Sequence, residues 1–191
     1  MAKQPRKNRY RSNKGMIYID LKLRLISQLF DSRDPSPFLE RDLDDDATDY
    51  IVSATLEHPM RTPIALVIHL SDSESFTLDP KIVVESIHNH FNYNADLIRK
   101  KMARTWRQGQ VSLLIGAVVL FSCLSIAQSI PIEKAYSYLT VLREGMIIMG
   151  WVAMWRPIDI FFYSWWPQIE MRRVYLKLAQ VPVEIKVQEK S

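Results

Sequence analysis

The chain has 191 residues, with 25 Lys and Arg against 21 Asp and Glu, a formal net charge of +4, and a single cysteine. That length holds one ordinary domain plus a membrane hairpin, or one larger soluble domain. The lone Cys123 excludes an intrachain disulfide and a thiol-rich metal site, and with only five glycines there is no Gly-rich phosphate loop.

In chain order, residues 1–15 open with MAKQPRKNRYRSNK, which carries six Lys or Arg, no acid and no apolar run. They read as a basic disordered tail. Such a tail can touch anionic lipid or nucleic acid, but a solvated tail is the expectation, and no specific nucleic-acid binding is expected.

Residues 16–98 read as a small cytoplasmic α/β domain. MIYIDLKL alternates Ile17, Ile19, Leu21 and Leu23 as a half-buried strand does. RLISQLF predicts a helical turn, and DSRDPSPF, with Pro35 and Pro37, a turn-rich link. A helix follows, with Ala47, Ile51 and Ala54 at helical spacing and acids crowding its first turn, where the macrodipole favours them. Pro59 stops it. PIALVIHL is a second strand. The alternation of Val181, Val183, Ile185 and Val187 offers a third, or else a partner supplies one.

Asp79–Pro80 is a helix start, Asp as N-cap and Pro at the first helical position. Val83, Ile87, Phe91, Ile98, Met102 and Trp106 then form a stripe, skipping one turn at Asn94–Ala95, and no proline interrupts Lys81 to Ile130. Residues 80–110 are therefore expected to be a helical stalk leading into a first transmembrane helix at 111–130. That run, VSLLIGAVVLFSCLSIAQSI, has no charge, and at about 1.5 Å per residue it spans roughly 30 Å, the thickness of a hydrocarbon core. A buried soluble helix is the competing reading, but soluble helices usually keep a polar face.

Arg99, Lys100, Lys101, Arg104 and Arg107 precede this span without an acid among them after Asp96, and positive flanks stay cytoplasmic. A short outer connection, PIEKAYSYL, leads to a second transmembrane helix at 135–155. Within it, Arg143 can snorkel outward, while Glu144 is the least comfortable residue and the candidate functional intramembrane acid. Arg156 marks the inner end, and Pro157 is expected to break the helix. Residues 156–167, rich in Trp and Tyr, are expected to lie in the inner interface, with Trp155, Arg156, Trp165 and Trp166 as anchors and Pro167 ending or bending the element. A single kinked span through Trp166 is the alternative, at the cost of burying Arg156 and Asp159. Residues 168–191 form a cytoplasmic C-terminal segment, so both termini are inside. Gly109, Ser112 and Gly116 share a face that can seat a neighbouring helix, as can Gly150 and Ala153.

Catalytic and metal signals are weak. Asp42, Asp44, Asp45, Asp46 and Asp49 resemble a calcium loop, but Ala47 stands where the loop needs Gly and Ser53 where it needs a bidentate Glu. His88 and His90 fall on different helix faces, and His58 and His69 lie elsewhere. No catalytic residue, metal or cofactor is expected.

The stretches FDSRDPSPFLERDLDDDA, SLLIGAVVLFSC and REGMIIMGWVAMWRPIDIFFYSWWP, in this order, resemble an uncharacterised family of bacterial inner-membrane proteins with a cytoplasmic N-terminal domain and two transmembrane helices. The resemblance covers most of Ile17 to Tyr175. It implies a bacterial inner-membrane setting and carries no activity. The family has an acid before the paired Trp where this chain has Ser164, so that position bears no general role.

The expectation is an α+β membrane protein, a small cytoplasmic α/β domain plus a two-helix transmembrane hairpin. Its expected role is that of a non-enzymatic subunit or adaptor, anchoring a partner at the bacterial inner membrane as a homo-oligomer or within a heteromeric complex. The alternative is a membrane-associated enzyme or an oligomeric transport component using Glu144 or the acidic cluster Asp42–Asp49.

Overall fold

A computed structural model describes residues 10–13, 15–71, 79–130 and 137–187. Most of the basic tail and most of the outer connection between the two apolar helices lie outside the described residues.

Arg11–Asn13 (β1), Met16–Leu23 (β2), Ile64–Leu70 (β3) and Val183–Val187 (β4) form one mixed sheet in the order β1-β2-β3-β4. β1 and β2 are antiparallel, joined through Gly15, whose φ of 81° suits a residue without Cβ. β2 with β3 and β3 with β4 are parallel, so each needs a crossover connection. β3 is the strand that the others depend on. Its run IALVIHL is buried almost throughout, as a strand covered on both faces must be. β2 keeps the expected alternation: Ile19 and Leu21 are buried, while Asp20 on the opposite face reaches His69 of β3 at 2.7 Å.

One of the two offered sources of a third strand is realised, and one strand differs from the sequence reading. The C-terminal alternation does join the sheet, with Val183 opposite Leu66 and Ile185 opposite Ile68. Arg11–Asn13, expected within the disordered tail, is a strand. Ladder bonds use backbone groups that every non-proline residue carries, and Arg11 adds an ion pair to Asp20 at 3.6 Å and a place over the Tyr18 ring at 4.9 Å.

The β2–β3 crossover contains a short 3₁₀ turn, Ile26–Leu29, and the helix Asp45–Leu56 (α1). Asp44 caps α1, its carboxylate accepting from the N–H groups of Asp46 and Ala47. α1 buries Ile51, Val52, Ala54 and Thr55, and it ends before Pro59 as expected. The next helix, Pro80–Ser129 (α2), is unbroken over 50 residues, with Asp79 accepting from the Lys81 N–H at 2.9 Å. Of the expected stripe, Val83, Ile87 and Phe91 are fully buried, and Ala95 joins them.

The chain divides into two compact units, Met1–Asp96 with Arg172–Ser191, and Leu97–Met171. In the second unit, α2 packs antiparallel against a return path made of Ser137–Ala153 (α3), Trp155–Asp159 (α4), a π-helical stretch Ile160–Ser164, and the start of Trp166–Leu178 (α5). The contacts run in reverse order, and small residues set their closeness. A Cβ at Gly109 would lie 2.9 Å from Ile160 Cγ2, one at Gly116 2.9 Å from the Ala153 carbonyl oxygen, and one at Gly150 3.0 Å from Leu120 Cδ1. Cys123 and Ala127 complete the buried seam. Cys123 is thus a small packing residue.

Pro157 is expected to break the helix and Pro167 to end or bend the aromatic element, and the return path is interrupted at Met154, one turn before Pro157, and at Trp165, just before Pro167. Each proline then sits in the first turn of the next helical segment, where the missing N–H has no partner to lose. The turn tightens just before Pro157, where the Met154 N–H donates to Trp151 C=O at 3.0 Å. Before Pro167, Trp165 C=O accepts from both Gln168 and Ile169. Two helical runs, Pro80–Ser129 and Tyr138–Leu178, are long and apolar enough to cross a membrane.

The seam yields a direct expectation. Gly116→Val forces two methyl groups toward the Ala153 carbonyl and should destabilise the hairpin by about 1–3 kcal/mol. Gly145→Val, where a Cβ meets nothing within 4 Å, should be neutral or slightly stabilising. Unfolding of the detergent-solubilised protein in SDS, followed by circular dichroism, checks both.

Candidate functional site

The polar residues of the hairpin divide into those the fold satisfies and those it leaves turned outward. Ser122, Ser125 and Ser129 each donate to the carbonyl four residues back, at 2.8 to 2.9 Å. Arg143 has a partner within the helix pair. Its Nε donates across the hairpin to Ala127 C=O at 3.3 Å. α2 ends at Ser129, so Ala127 carries one of its orphan carbonyls, and a cation there also meets the negative end of the dipole. Glu144 points elsewhere, exposed, and pairs with no described residue.

Of the expected anchors, Trp155 and Trp166 are 73% and 68% exposed. Trp165 is half-buried, its ring 6.4 Å from Trp106, which in turn meets Phe161 edge-on at 5.1 Å. Arg156 is exposed and pairs with Asp159 one turn on, at 3.3 Å.

The antiparallel pairing also gathers charge. Arg104 and Arg107 lie three residues apart on α2, and Arg156 arrives from the facing chain to line the same cleft of about 410 Å³. Gln108 and Ser112 add polar groups, and Val111 and Ile160 an apolar wall. Arg104 and Arg107 have no carboxylate partner among the described residues. Sequence reading took this charge run as a topology marker and missed the convergence, because Arg156 is far away in the chain and reaches the cleft only through the helix register. The only signal was the pair of small-residue faces that set that register.

The acidic cluster of the first unit disperses. Asp44 is the cap and Asp45 and Asp46 form the first turn of α1, while Asp49 is exposed. Asp42 reaches a histidine on α2, lying 3.0 Å from Nδ1 of His90. That imidazole is nearly buried. Leu43 N–H approaches Nδ1 at 3.2 Å, and Nε2 meets the Thr48 hydroxyl at 3.3 Å and the Asn94 amide at 3.0 Å. An Asp–His pair can serve as a general base when the outer nitrogen is free for substrate. Here both nitrogens are engaged, so the group ties the loop before α1 to α2. Nearby, Asp34 accepts from the N–H groups of Asp42 and Ser36, which hold its pKa down to about 2. His69 and His88 are likewise engaged, by Asp20 and by Val181 C=O. Among the described residues no group of three or more His, Cys, Asp or Glu could hold a metal.

Comparison of the chain with protein-family models, with curated proteins and with solved structures found no match.

Burial depresses the His90 pKa below its ordinary 6.5, against the pull of Asp42. The unfolded chain therefore takes up this proton at higher pH than the folded one. The stability from a neutral His90 is complete above about pH 6.5 and is lost as pH falls through the lower folded value. His90→Gln should lower the melting temperature at neutral pH and flatten its decline between about pH 6.5 and 5. The Asp34 contribution is separate, since it fades only between its ordinary 3.8 and about 2. Thermal melts of wild type and variant across this range measure the difference.

Proposed function

We propose that this protein is an integral membrane subunit that inserts its antiparallel helices as a two-span hairpin and holds a partner, or a membrane complex, at the inner face of a bacterial inner membrane. The observation that carries the reading is the pairing of β3 with β4. Strands that precede and follow the hairpin in sequence belong to one sheet, so both flanks must lie on the same side of any bilayer, which requires an even number of crossings.

The surface of the second unit supports insertion. Leu114, Ile115, Val118 and Phe121 on α2, and Val141, Ile148, Trp151 and Val152 on α3, are exposed. So large an apolar surface calls for lipid or for protein cover. The internally bonded serines and the small-residue seam fit a medium without water. The basic run Arg99–Arg107 sets the flanks inside, and the resemblance drawn above supplies the bacterial setting.

The adaptor role is supported at the sheet. β4 is an edge strand whose outer side pairs no described strand. Beside it lies a cleft of about 430 Å³ walled by Val84, His88, Val183, Ile185 and Val187. An exposed edge next to apolar pockets suits the addition of an extended segment from a partner. Glu144 remains the residue that would favour the transport or enzyme reading.

Reporter fusions test the topology. A fusion at Glu133 should report the outer side and a fusion at the C-terminus the cytoplasm; a cytoplasmic signal at Glu133 refutes the hairpin. Crosslinking in native membranes should give a dimer or a heteromeric band. Under the adaptor reading Glu144→Gln keeps membrane abundance and phenotype, because it removes a charge whose burial costs about 2.5–3.5 kcal/mol at mid-bilayer and less near the surface. A normally inserted Glu144→Gln protein with a null phenotype would overturn that reading in favour of transport or catalysis.

A further inference from the structure

We infer that the cleft formed by Arg104, Arg107 and Arg156 is a binding site for the phosphodiester of an anionic phospholipid in the leaflet that faces the basic flank. The inference rests on the membrane reading above and names the ligand of that surface.

Three features lead there. Arg104 and Arg107 present two guanidinium groups from adjacent turns of one helix, and Arg156 brings a third from the antiparallel chain. Guanidinium forks bind phosphate oxygens in pairs, which ammonium groups do not. The counter-charge within the protein is incomplete. Asp159 engages Arg156 at 3.3 Å, and among the described residues neither Arg104 nor Arg107 has a carboxylate. Finally, the cleft is amphiphilic. Gln108 and Ser112 offer hydrogen bonds near the guanidiniums, while Val111 and Ile160 form an apolar wall. Val111 begins the uncharged run, so the wall continues onto the exposed Leu114, Ile115 and Val118 of the same helix. A headgroup phosphate at the arginines would leave its acyl chain along this surface. A free anion would use the arginines and leave the wall unoccupied.

A zwitterionic lipid carries the same phosphodiester with its charge already compensated by its own amine. The site should therefore select lipids that lack that amine. Asp159 sharpens the preference, because it would attract a lipid's ammonium only by releasing Arg156.

The experiment uses the full chain in mild detergent, titrated with dioleoyl phosphatidylglycerol or dioleoyl phosphatidylcholine, with bound lipid counted by native mass spectrometry. The wild type should retain phosphatidylglycerol about tenfold more strongly, the worth of one or two charge-assisted bonds. The double variant Arg104→Gln, Arg107→Gln should lose most of that preference. Lys100→Gln, Lys101→Gln removes the same charge from the same helix outside the cleft, and it should keep the preference. Equal loss in both variants means diffuse surface charge and overturns the site. Equal retention of the two lipids by wild type overturns it as well. Displacement of phosphatidylglycerol by excess inorganic phosphate, leaving no bound lipid, makes the cleft a free-phosphate site and also overturns the inference. Alkaline extraction of native membranes separates this from the parent reading. Protein that stays in the pellet but shows no lipid preference sinks the site alone, whereas protein released to the supernatant sinks the membrane reading itself.

Discussion

The parallel pairing of β3 with β4 constrains everything between them. Parallel neighbours cannot be joined by a tight turn, and here the connection contains every residue of both apolar helices. β3 is buried on nearly every residue, so without β4 beside it the N–H and C=O groups of a core strand would be left to water or to another chain. Leu66 and Ile68 need Val183 and Ile185 beside them. Closing the sheet therefore demands that the chain return to the unit it left. The tight seam at Gly109, Gly116 and Gly150 is what lets it return within one pair of helices. Val181, Leu178 and Val174 are buried as the chain re-enters the first unit, and Phe91 stacks on Tyr175 at 6.1 Å. Lys177 closes the loop before β3 by donating to Thr62 C=O at 2.7 Å.

Much of the fold was legible because its signals are local. The alternation in MIYIDLKL, the apolar run in IALVIHL, the acids crowding the start of α1 and the Asp79 cap all act within a few residues. β1 was not legible. Arg-Ser-Asn has no pattern, and only a partner strand gives those residues a ladder. The prolines were legible as interruptions, since the helix breaks at Met154 and at Trp165, just ahead of Pro157 and Pro167. What the prolines do not encode is that a helix resumes at once, with each of them in its first turn.

The site was half legible. Gly109, Gly116, Gly150 and Ala153 were recognisable as small faces, and all four lie along the seam, with Gly116 against Ala153. The acidic cluster read as a helix start despite its partial likeness to a calcium loop, and it is mostly that. What gives Asp42 its partner is a histidine 48 residues away on α2, a pairing that no spacing rule encodes. Arg143 was read as a residue escaping the bilayer, and it is bound to a carbonyl at the end of the other helix.

The same register decides how the hairpin manages its charges. Antiparallel packing with Gly109 opposite Ile160 brings Arg156 beside the Arg104–Arg107 face, and three like charges in one cleft repel more strongly as the local dielectric falls. One carboxylate, Asp159, offsets one of them. Moving the helices apart to relieve the remaining charge would open a seam so close that a Cβ at any of three glycines would lie 2.9 to 3.0 Å from the facing segment. Relief must come from outside the chain, from water or from an anion. At the edge of an apolar surface, the anion that also covers that surface removes both costs at once. The closeness of the seam and the charge of the cleft are therefore one design constraint, because shortening one side chain in the seam and adding one arginine at its end act on the same pair of helices.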